Sequence, residues 1–277
     1  MKEDSIPTVV IEPSKGLLDL DLKGLWDYRE LLFFLAWRDM KARYAQSIVG
    51  IGWAILQPLL VMGLFTLIMS RWANIPSDGL PYPVFALAAL LPWGYFAKSV
   101  ERSSVSVVSE AGLVQKVYFP RLIIPIAATI GGLVDFCIAF VLLLGVMAWY
   151  HILPSWRMLT LPFWIGMTLV TALAVSLWLT ALHVRYRDVG ATIPLFIQLW
   201  MFASPIVYPV SMVPEKWRVL YGMNPMVGVI EGFRWAVLGK SSPDLLAITI
   251  SGTMVALLFL GGVIFFKHME QSFADVI

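Results

Sequence analysis

Charged side chains are scarce in this sequence. Asp, Glu, Lys and Arg together make up 14% of the 277 residues, whereas soluble domains carry about 25%. Apolar residues reach 59%, and the mean hydropathy is +0.80. A chain of this composition cannot keep its whole surface in water. The sequence therefore predicts an integral membrane protein and excludes an ordinary soluble domain.

Cysteine and histidine are nearly absent as well. The single cysteine, Cys137, lies within an apolar run, which excludes a disulfide scaffold. Together with three histidines it offers too few ligands for a Cys/His zinc site, so no metal site is predicted. The 20 Lys and Arg against 18 Asp and Glu leave a net charge of only +2. We therefore expect no general attraction to nucleic acid.

The first residues lack the apolar core of a secretory signal peptide. Residues 1–22 are polar and acidic, and they contain Pro7 and Pro13. We expect residues 1–24 to form a cytosolic N-terminal segment that is retained.

Six long apolar runs are present. A bilayer core about 30 Å thick needs roughly 20 apolar residues in a helix. The sequence thus predicts an all-α domain over 48–266, with a short tail at 267–277. Asp135 in the third run is the only charge, and about twenty apolar neighbours offset its insertion penalty of about 3 kcal/mol. The predicted spans are about 48–70, 80–97, 122–150, 159–182, 191–213 and 245–266.

The distribution of Lys and Arg orients these spans. Residues 1–47, the loops 98–121 and 185–188, and the tail 267–277 carry 14 of the 20 Lys and Arg residues. The opposite side carries six, four of them in one long segment. Short positively charged loops stay in the cytosol. Both termini are therefore predicted to be cytosolic.

Residues 25–47 predict an amphipathic helix that lies in the membrane surface. Aromatic residues recur there at helical spacing beside a charged stripe. A soluble helix that packs on a partner protein is the alternative. The candidate residues of this interfacial helix are Trp26, Phe33, Trp37, Arg38, Lys41, Arg43 and Tyr44.

A further apolar stretch at 226–239 follows several prolines and is too short to cross the bilayer. We expect residues 206–238 to form an extracytoplasmic re-entrant helical hairpin before the last span. Glu231 and Arg234, three residues apart, could neutralise each other there. A plain amphipathic loop outside the membrane is the alternative.

Ionisable side chains that could carry out catalysis or ion transport are nearly absent from the predicted spans. Asp135 is the only carboxylate in a predicted span, and either a structural hydrogen bond or a transport role fits it. Gly239-Lys240-Ser241 resembles the end of a P-loop, but Arg234 stands where that motif needs glycine. No catalytic residue is predicted, and ATP-driven work is assigned to another chain.

Several segments resemble the permease subunits of ABC transporters that export polysaccharides, above all the O-antigen and teichoic-acid exporters. The similarity covers about residues 30–240 and lies in the order and spacing of short motifs. They are the segment 38–44 (RDMKARY) with Ser47, Gly50, Trp53 and Gln57-Pro58; Lys116 with Phe119-Pro120-Arg121; Arg185-Tyr186-Arg187-Asp188; the segment 204–209 (SPIVYP); Asn224-Pro225; Glu231; and Phe233-Arg234.

The resemblance implies a type-2 ABC exporter permease, not an enzyme, that forms a homodimer in the bacterial inner membrane. Two separate ATPase subunits would dock beneath it and bind ATP and Mg²⁺, so this chain would hold no cofactor. The cargo would be a polysaccharide on a polyprenyl lipid, with O-antigen first among the candidates. The interfacial helix and the first span would guide it from the membrane lipids.

Two cytosolic loops would couple the permease to the ATPase, and the outer hairpin would act as a gate. The coupling candidates are Leu113, Gln115, Lys116, Phe119, Pro120, Arg121, Arg185, Tyr186, Arg187 and Asp188. The gate candidates are Tyr208, Asn224, Pro225, Glu231 and Arg234.

A conduit for a long hydrated glycan must bind it weakly at many points. Aromatic faces suit this purpose, because they pack on sugar rings without fixing particular hydroxyls. Anchoring at the membrane surface is the alternative role of such side chains. The channel-lining candidates are Trp53, Phe65, Trp93, Phe96, Trp200 and Phe202.

Two rival functions stay open from the sequence. A drug or lipid exporter permease shares the six-span layout, because a fold does not determine its cargo. An intramembrane transferase acting on polyprenyl phosphate needs clustered acidic or histidine residues near the cytosolic face. Arg185, Arg187 and Asp188 make a poor site of that kind.

Overall fold

A computed structural model describes residues 22–45, 52–239 and 244–273 of the chain. Most of the predicted N-terminal segment, the start of the first predicted span with Ser47 and Gly50, and the P-loop-like Lys240-Ser241 lie outside these ranges. No β-strand occurs within them, which confirms the all-α prediction. The α-helices of the described ranges are α1 (Leu22–Asp27), α2 (Arg29–Ala45), α3 (Gly52–Phe65), α4 (Tyr82–Ser109), α5 (Ala111–Lys116), α6 (Ile123–Ile130), α7 (Leu133–Trp149), α8 (Leu161–Arg185), α9 (Asp188–Phe202), α10 (Glu215–Gly222), α11 (Pro225–Leu238) and α12 (Leu245–Glu270).

In the described part of the chain, five helices are long and apolar enough to cross a membrane. The first combines α3 with a π-helical extension, the third joins α6 to α7, and the fourth begins with a short 3₁₀ turn before α8. The shorter α9 corresponds to the fifth predicted span. The membrane-length helices are Gly52–Trp72, Tyr82–Ser109, Ile123–Trp149, Trp156–Arg185 and Leu245–Glu270.

Helix α4 is the central helix of the fold. It packs against α3, α6, α7, α8, α9 and α11. It also runs to Ser109, whereas the predicted span ended at residue 97. Lys98 lies about 24 Å along the helix from Tyr82, and the bilayer core is about 30 Å thick. The charged side chains of α4 therefore begin near the end of the apolar bilayer core. A helix can continue past that boundary, and this one carries its last turns toward the first loop.

The third span is interrupted at Gly131 and Gly132, between α6 and α7. A Cβ at Gly132 would come within 3.0 Å of the Ser99 hydroxyl and 3.2 Å of the Tyr95 ring, both on α4. Gly132 therefore lets the interrupted span approach α4 closely, whereas Gly131 faces α2, where an added Cβ would come within 3.5 Å of the Ala36 carbonyl oxygen. Tyr95 donates a hydrogen bond to the Thr129 carbonyl at 3.1 Å.

Helix α9 ends at Phe202, although the fifth predicted span extended to residue 213. Pro205 and Pro209 follow it, and proline cannot continue the hydrogen-bond ladder of a helix. The helix has 15 residues, which span about 22 Å. The chain then turns through α10 into α11, which is buried along nearly its whole length.

Two buried clusters hold the helices together. The larger one joins residues 82–100 of α4 to α7, α8 and α11. The second joins α2, the segment after α5, and the ends of α8 and α12. The second cluster includes Leu35, Val114, Phe119, Phe266 and Phe273. It therefore links the interfacial helix to both the first loop and the chain's last described residues.

Candidate functional site

The predicted interfacial helix, which corresponds to α1 and α2, exposes its aromatic residues. Trp26, Phe33 and Trp37 are 69%, 68% and 53% exposed, and the rings of Phe33 and Trp37 stack at 6.3 Å. Leu35 is buried on the other side, where α2 packs against α6. An aromatic face that the other described residues leave uncovered suits contact with lipid headgroups. Lys41 is exposed as well.

The end of α2 is tied to the interruption in the third span through Asp135. Arg43 pairs with the Asp135 carboxylate at 2.9 Å and donates to the Gly131 carbonyl at 2.6 Å. Arg102 of α4 reaches the same carboxylate at 3.2 Å, and the Tyr44 hydroxyl donates to it. Asp135 thus joins three segments, and we call this set, Arg43, Tyr44, Arg102 and Asp135, the Asp135 node.

Tyr44 stays protonated in this node. Burial, followed by the hydrogen bond to Asp135, raises the pKa of Tyr44 to about 12. Its hydroxyl therefore remains a donor at neutral pH. The Asp135 carboxylate faces two guanidinium groups and a neutral phenol, and these contacts join α2, α4 and α7. They therefore favour a structural role of Asp135 over a transport role.

Two more contacts tie the segment 28–38, which includes the start of α2, to the first loop. The Arg38 guanidinium donates to the Glu110 carboxylate at the start of α5, with one of the two contacts at 3.2 Å, and also to Asp39 at 3.0 Å. The Tyr28 hydroxyl donates to the Tyr118 carbonyl at 3.2 Å. The interfacial helix and the segment 110–118 therefore form one packed unit.

The predicted coupling residues of the first loop divide into exposed and buried ones. Gln115 and Lys116, at the end of α5, are exposed, whereas Leu113 and Pro120 are half-buried. Phe119 is only 4% exposed and belongs to the second buried cluster. Arg121 is held by the end of α12 through Glu270. The exposed residues can meet a partner, while the buried ones hold the loop in place.

The second loop presents all four of its predicted residues to solvent: Arg185, Tyr186, Arg187 and Asp188. Its shape depends on His183, whose Nδ1 accepts a hydrogen bond from the Gly190 N–H at 3.0 Å. A Cβ at Gly190 would come within 2.5 Å of the imidazole ring. This close approach folds the start of α9 back onto the end of α8.

The two loops lie on the same face of the molecule. Helices α4 and α8 pack side by side, and the Thr180 hydroxyl of α8 donates to the Ser103 carbonyl of α4 at 3.0 Å. The C-terminal ends of both helices therefore emerge together.

The hairpin predicted over residues 206–238 is anchored by Asn224, which caps α11. Its Oδ1 accepts from the Met226 N–H at 3.0 Å and from the Trp200 indole at 2.9 Å. Its amide donates to the Ala203 carbonyl at 2.9 Å. Every hydrogen-bonding group of this side chain serves the fold, and Pro225 occupies the first helical position, which suits its fixed φ.

Arg234 anchors α11 to the centre of the fold. The predicted ion pair with Glu231 is present at 3.1 Å, and Arg234 is only 3% exposed. Its guanidinium lies 3.6 Å from the Phe85 ring centroid and donates to the carbonyls of Phe85 at 3.3 Å and Ile206 at 2.9 Å. Tyr208, by contrast, is half-buried and receives a hydrogen bond from Tyr221 of α10 at 3.1 Å.

The six aromatic candidates for a channel lining fall into two groups. Trp53 and Phe202 are exposed, at 54% and 51%, and Trp200 is half-buried. Phe65, Trp93 and Phe96 are buried inside the subunit. The Phe96 ring contacts Trp93 at 5.3 Å and Trp200 at 5.2 Å. The structure thus brings Trp93, Phe96 and Trp200 into one cluster, and it leaves Trp53 and Phe202 on the surface.

Several residues of these networks were not predicted from the sequence. A cavity of about 280 Å³ between α3, α4 and α7 has Gln57, Lys98, Glu101 and Asp135 among its lining residues. Lys98 and Glu101 follow the end of the second apolar run, and the only signal was that they continue its helix. No group of three metal-ligating side chains occurs among the residues that the structure describes.

These observations define a multi-pass, all-helical membrane protein with a surface helix, two exposed loops on one face and an anchored hairpin on the other. A family model described as "ABC-2 type transporter" matches residues 30–238. The chain belongs to this family. Membership implies an ABC ATPase as partner.

Named relatives cover most of the chain. An O-antigen export system permease protein from Myxococcus xanthus is 30% identical over 92% of this chain and 98% of its own length. A protein of the same name from Klebsiella pneumoniae is 27% identical over 90% of this chain and 95% of its own length. A polysialic acid transport protein from Escherichia coli is 26% identical over 73% of this chain and 78% of its own length.

Proposed function

We propose that the chain is the channel-forming permease subunit of an ABC transporter that exports a polysaccharide, O-antigen, on a polyprenyl lipid across the bacterial inner membrane. The observation that carries the proposal is the match to an O-antigen export permease over 92% of the chain. The family model over residues 30–238 contains both loops and the predicted hairpin. A separate ATPase subunit supplies the energy.

The conduit forms between two copies of this subunit. Trp53, Trp200 and Phe202 offer partly exposed rings to the glycan, because the described residues do not enclose these rings. Phe65, Trp93 and Phe96 are buried inside the subunit in this conformation, and Phe96 supports the Trp200 ring through their contact at 5.2 Å. Exposed aromatic faces then bind sugar rings weakly and let the chain slide.

The two loops on one face receive the movement of the ATPase subunits. Gln115 and Lys116 of the first loop and the exposed segment 185–188 make the contact. The Arg38–Glu110 pair and the Asp135 node pass this movement to the interfacial helix, where the lipid-linked cargo arrives. This face and both termini are therefore cytosolic in the proposal.

The moving part of the outer gate is the segment 209–223, which contains α10. Helix α11 is tied to α4 by Arg234 and to α9 by Asn224, so it serves as the fixed side of the hairpin. Trp217, Val219 and Leu220 of α10 are more than half exposed, so α10 is held mainly at its end, where the Ser251 hydroxyl of α12 donates to the Gly222 carbonyl at 2.8 Å.

A gene deletion tests the proposal. In a host that makes this chain and its ATPase, deletion of either gene should leave lipid-linked glycan on the cytosolic side, and the wild-type gene should restore export. A complementing Gly145→Ala variant, changed in α7 outside the proposed contacts, should restore export equally well. Normal glycan at the cell surface of the deletion strain would contradict the proposal and favour another cargo.

A further inference from the structure

The first loop has little regular structure of its own. Residues 117–121 connect α5 to α6 without forming a helix, so contacts with other parts of the chain must hold their backbone. The partner is distant in sequence. The Arg121 backbone N–H donates to the Glu270 carboxylate at 3.1 Å, and these residues are 149 positions apart.

The same pair also serves the end of α12. The Arg121 guanidinium donates to the main-chain carbonyl of Glu270, which is one of the last carbonyls of that helix and has no partner within it. A cation at a helix C-terminus also complements the helix dipole. Each side thus satisfies groups that the other element leaves without a partner.

Aromatic packing reinforces this contact. Phe119 of the loop shares the second buried cluster with Phe266 and Phe273, which are both 0% exposed. The Phe266 and Phe273 rings meet edge to face at 5.3 Å. Phe273 lies three residues beyond the end of α12, where the Ser272 N–H donates back to the Met269 carbonyl at 3.0 Å. The chain therefore turns its last described residues toward the loop.

We propose that the end of α12, with Glu270, Phe266 and Phe273, is a positioning element for the first loop. Glu270 fixes the loop backbone at Arg121, and the aromatic pair supports Phe119. A loop held in this way moves as a rigid body when the ATPase pushes on Gln115 and Lys116, whereas a loose loop would absorb the displacement. The inference rests on the coupling role proposed above.

Hydrogen exchange of the permease in lipid nanodiscs, without the ATPase, tests the contact itself. In Glu270→Ala the peptide that contains the Arg121 amide should exchange roughly five- to tenfold faster, as expected on loss of one charge-assisted hydrogen bond. Glu270→Gln keeps an acceptor oxygen and should exchange close to wild type. His268→Ala, exposed in the same turn, is the matched control and should not change.

The complete complex with its ATPase tests the consequence. Reconstituted in proteoliposomes, Glu270→Ala should export several-fold less glycan for each ATP hydrolysed, with the same amount of ATPase bound, and Glu270→Gln should restore the ratio. Phe273→Ala should give the same loss if Glu270→Ala does not reach the membrane.

Three outcomes separate the possible failures. Unchanged exchange at Arg121 in Glu270→Ala would overturn the positioning contact. Faster exchange with a normal ratio of export to ATP hydrolysis would overturn its role in coupling. A wild-type complex that exports no glycan would instead contradict the proposed function, and the exchange result would still decide whether Glu270 holds the loop.

Discussion

At the scale of single residues, several buried or half-buried charged side chains among the described residues are used by the fold. Arg43, Arg102, Asp135 and Arg234 are each partly or fully buried, and each is paired. Removing one partner of such a pair leaves the other charge buried without compensation. This lowers the stability of the protein more than replacing the whole pair with apolar residues would.

Asp135→Ala should destabilise the protein by about 2 kcal/mol, because it leaves Arg43 and Arg102 facing each other without a carboxylate. The measurement is the thermal unfolding of the purified permease in detergent. Asp135→Asn keeps hydrogen bonding and should lose about half as much. Asp27→Ala, at an exposed position of α1, is the control and should stay within about 0.5 kcal/mol of wild type. Equal stability of Asp135→Ala and wild type would contradict the structural role of the node.

Arg234→Met should be more damaging, at about 3 to 5 kcal/mol, because it leaves Glu231 buried and unpaired and frees the Phe85 and Ile206 carbonyls. The double variant Glu231→Gln/Arg234→Met should recover part of this loss, since it removes the uncompensated charge. Unfolding midpoints of the single and double variants in the same detergent measure this coupling. A double variant that is less stable than Arg234→Met would show that the ion pair is not the reason for the loss.

At the scale of helices, the fold depends on close approaches that small residues permit. Gly232 of α11 lies so near the Trp164 ring of α8 that an added Cβ would come within 2.1 Å of it. Gly132 and Gly190 allow similar approaches in the third span and the second loop. These glycines determine how the hairpin, the interrupted span and the loop fit against their neighbours.

Gly232→Ala should therefore destabilise the hairpin by about 1 to 3 kcal/mol through overpacking. Gly145→Ala, in α7 with nothing within 4 Å of its added Cβ, is the matched control and should be neutral or slightly stabilising because alanine favours a helix. Limited proteolysis of the α10–α11 segment, together with thermal unfolding, measures both variants. A Gly232→Ala protein as resistant as Gly145→Ala would contradict the packing of α11 on Trp164.

The sequence predicted local features far better than distant ones. Apolar runs predicted the membrane helices, and the Glu231–Arg234 pair could be expected because both residues share one helical face. The partners of Asp135 could not, since Arg43 and Arg102 lie 92 and 33 positions away. Helix ends were also missed where a helix continues beyond the bilayer, as α4 does after Lys98. Such features depend on packing, which no local pattern contains.

At the scale of the whole molecule, orientation in the membrane is the first testable feature. With the native cysteine replaced, as Cys137→Ser, a cysteine introduced at Leu153 should react with a membrane-impermeant thiol reagent in intact cells. One introduced at Tyr186 should react only after the membrane is opened. Both positions are exposed, so the fold should not hide either cysteine from the reagent. The reverse pattern of labelling would overturn the predicted cytosolic position of the loops.

The central claim is that this subunit provides a conduit while the energy comes from an ATPase through two loops. Transport of extracted lipid-linked glycan into sealed proteoliposomes tests it most directly. Uptake should occur only when the permease, its ATPase and ATP are all present, and not with an ATPase that cannot hydrolyse ATP. Uptake by the permease alone would contradict the account.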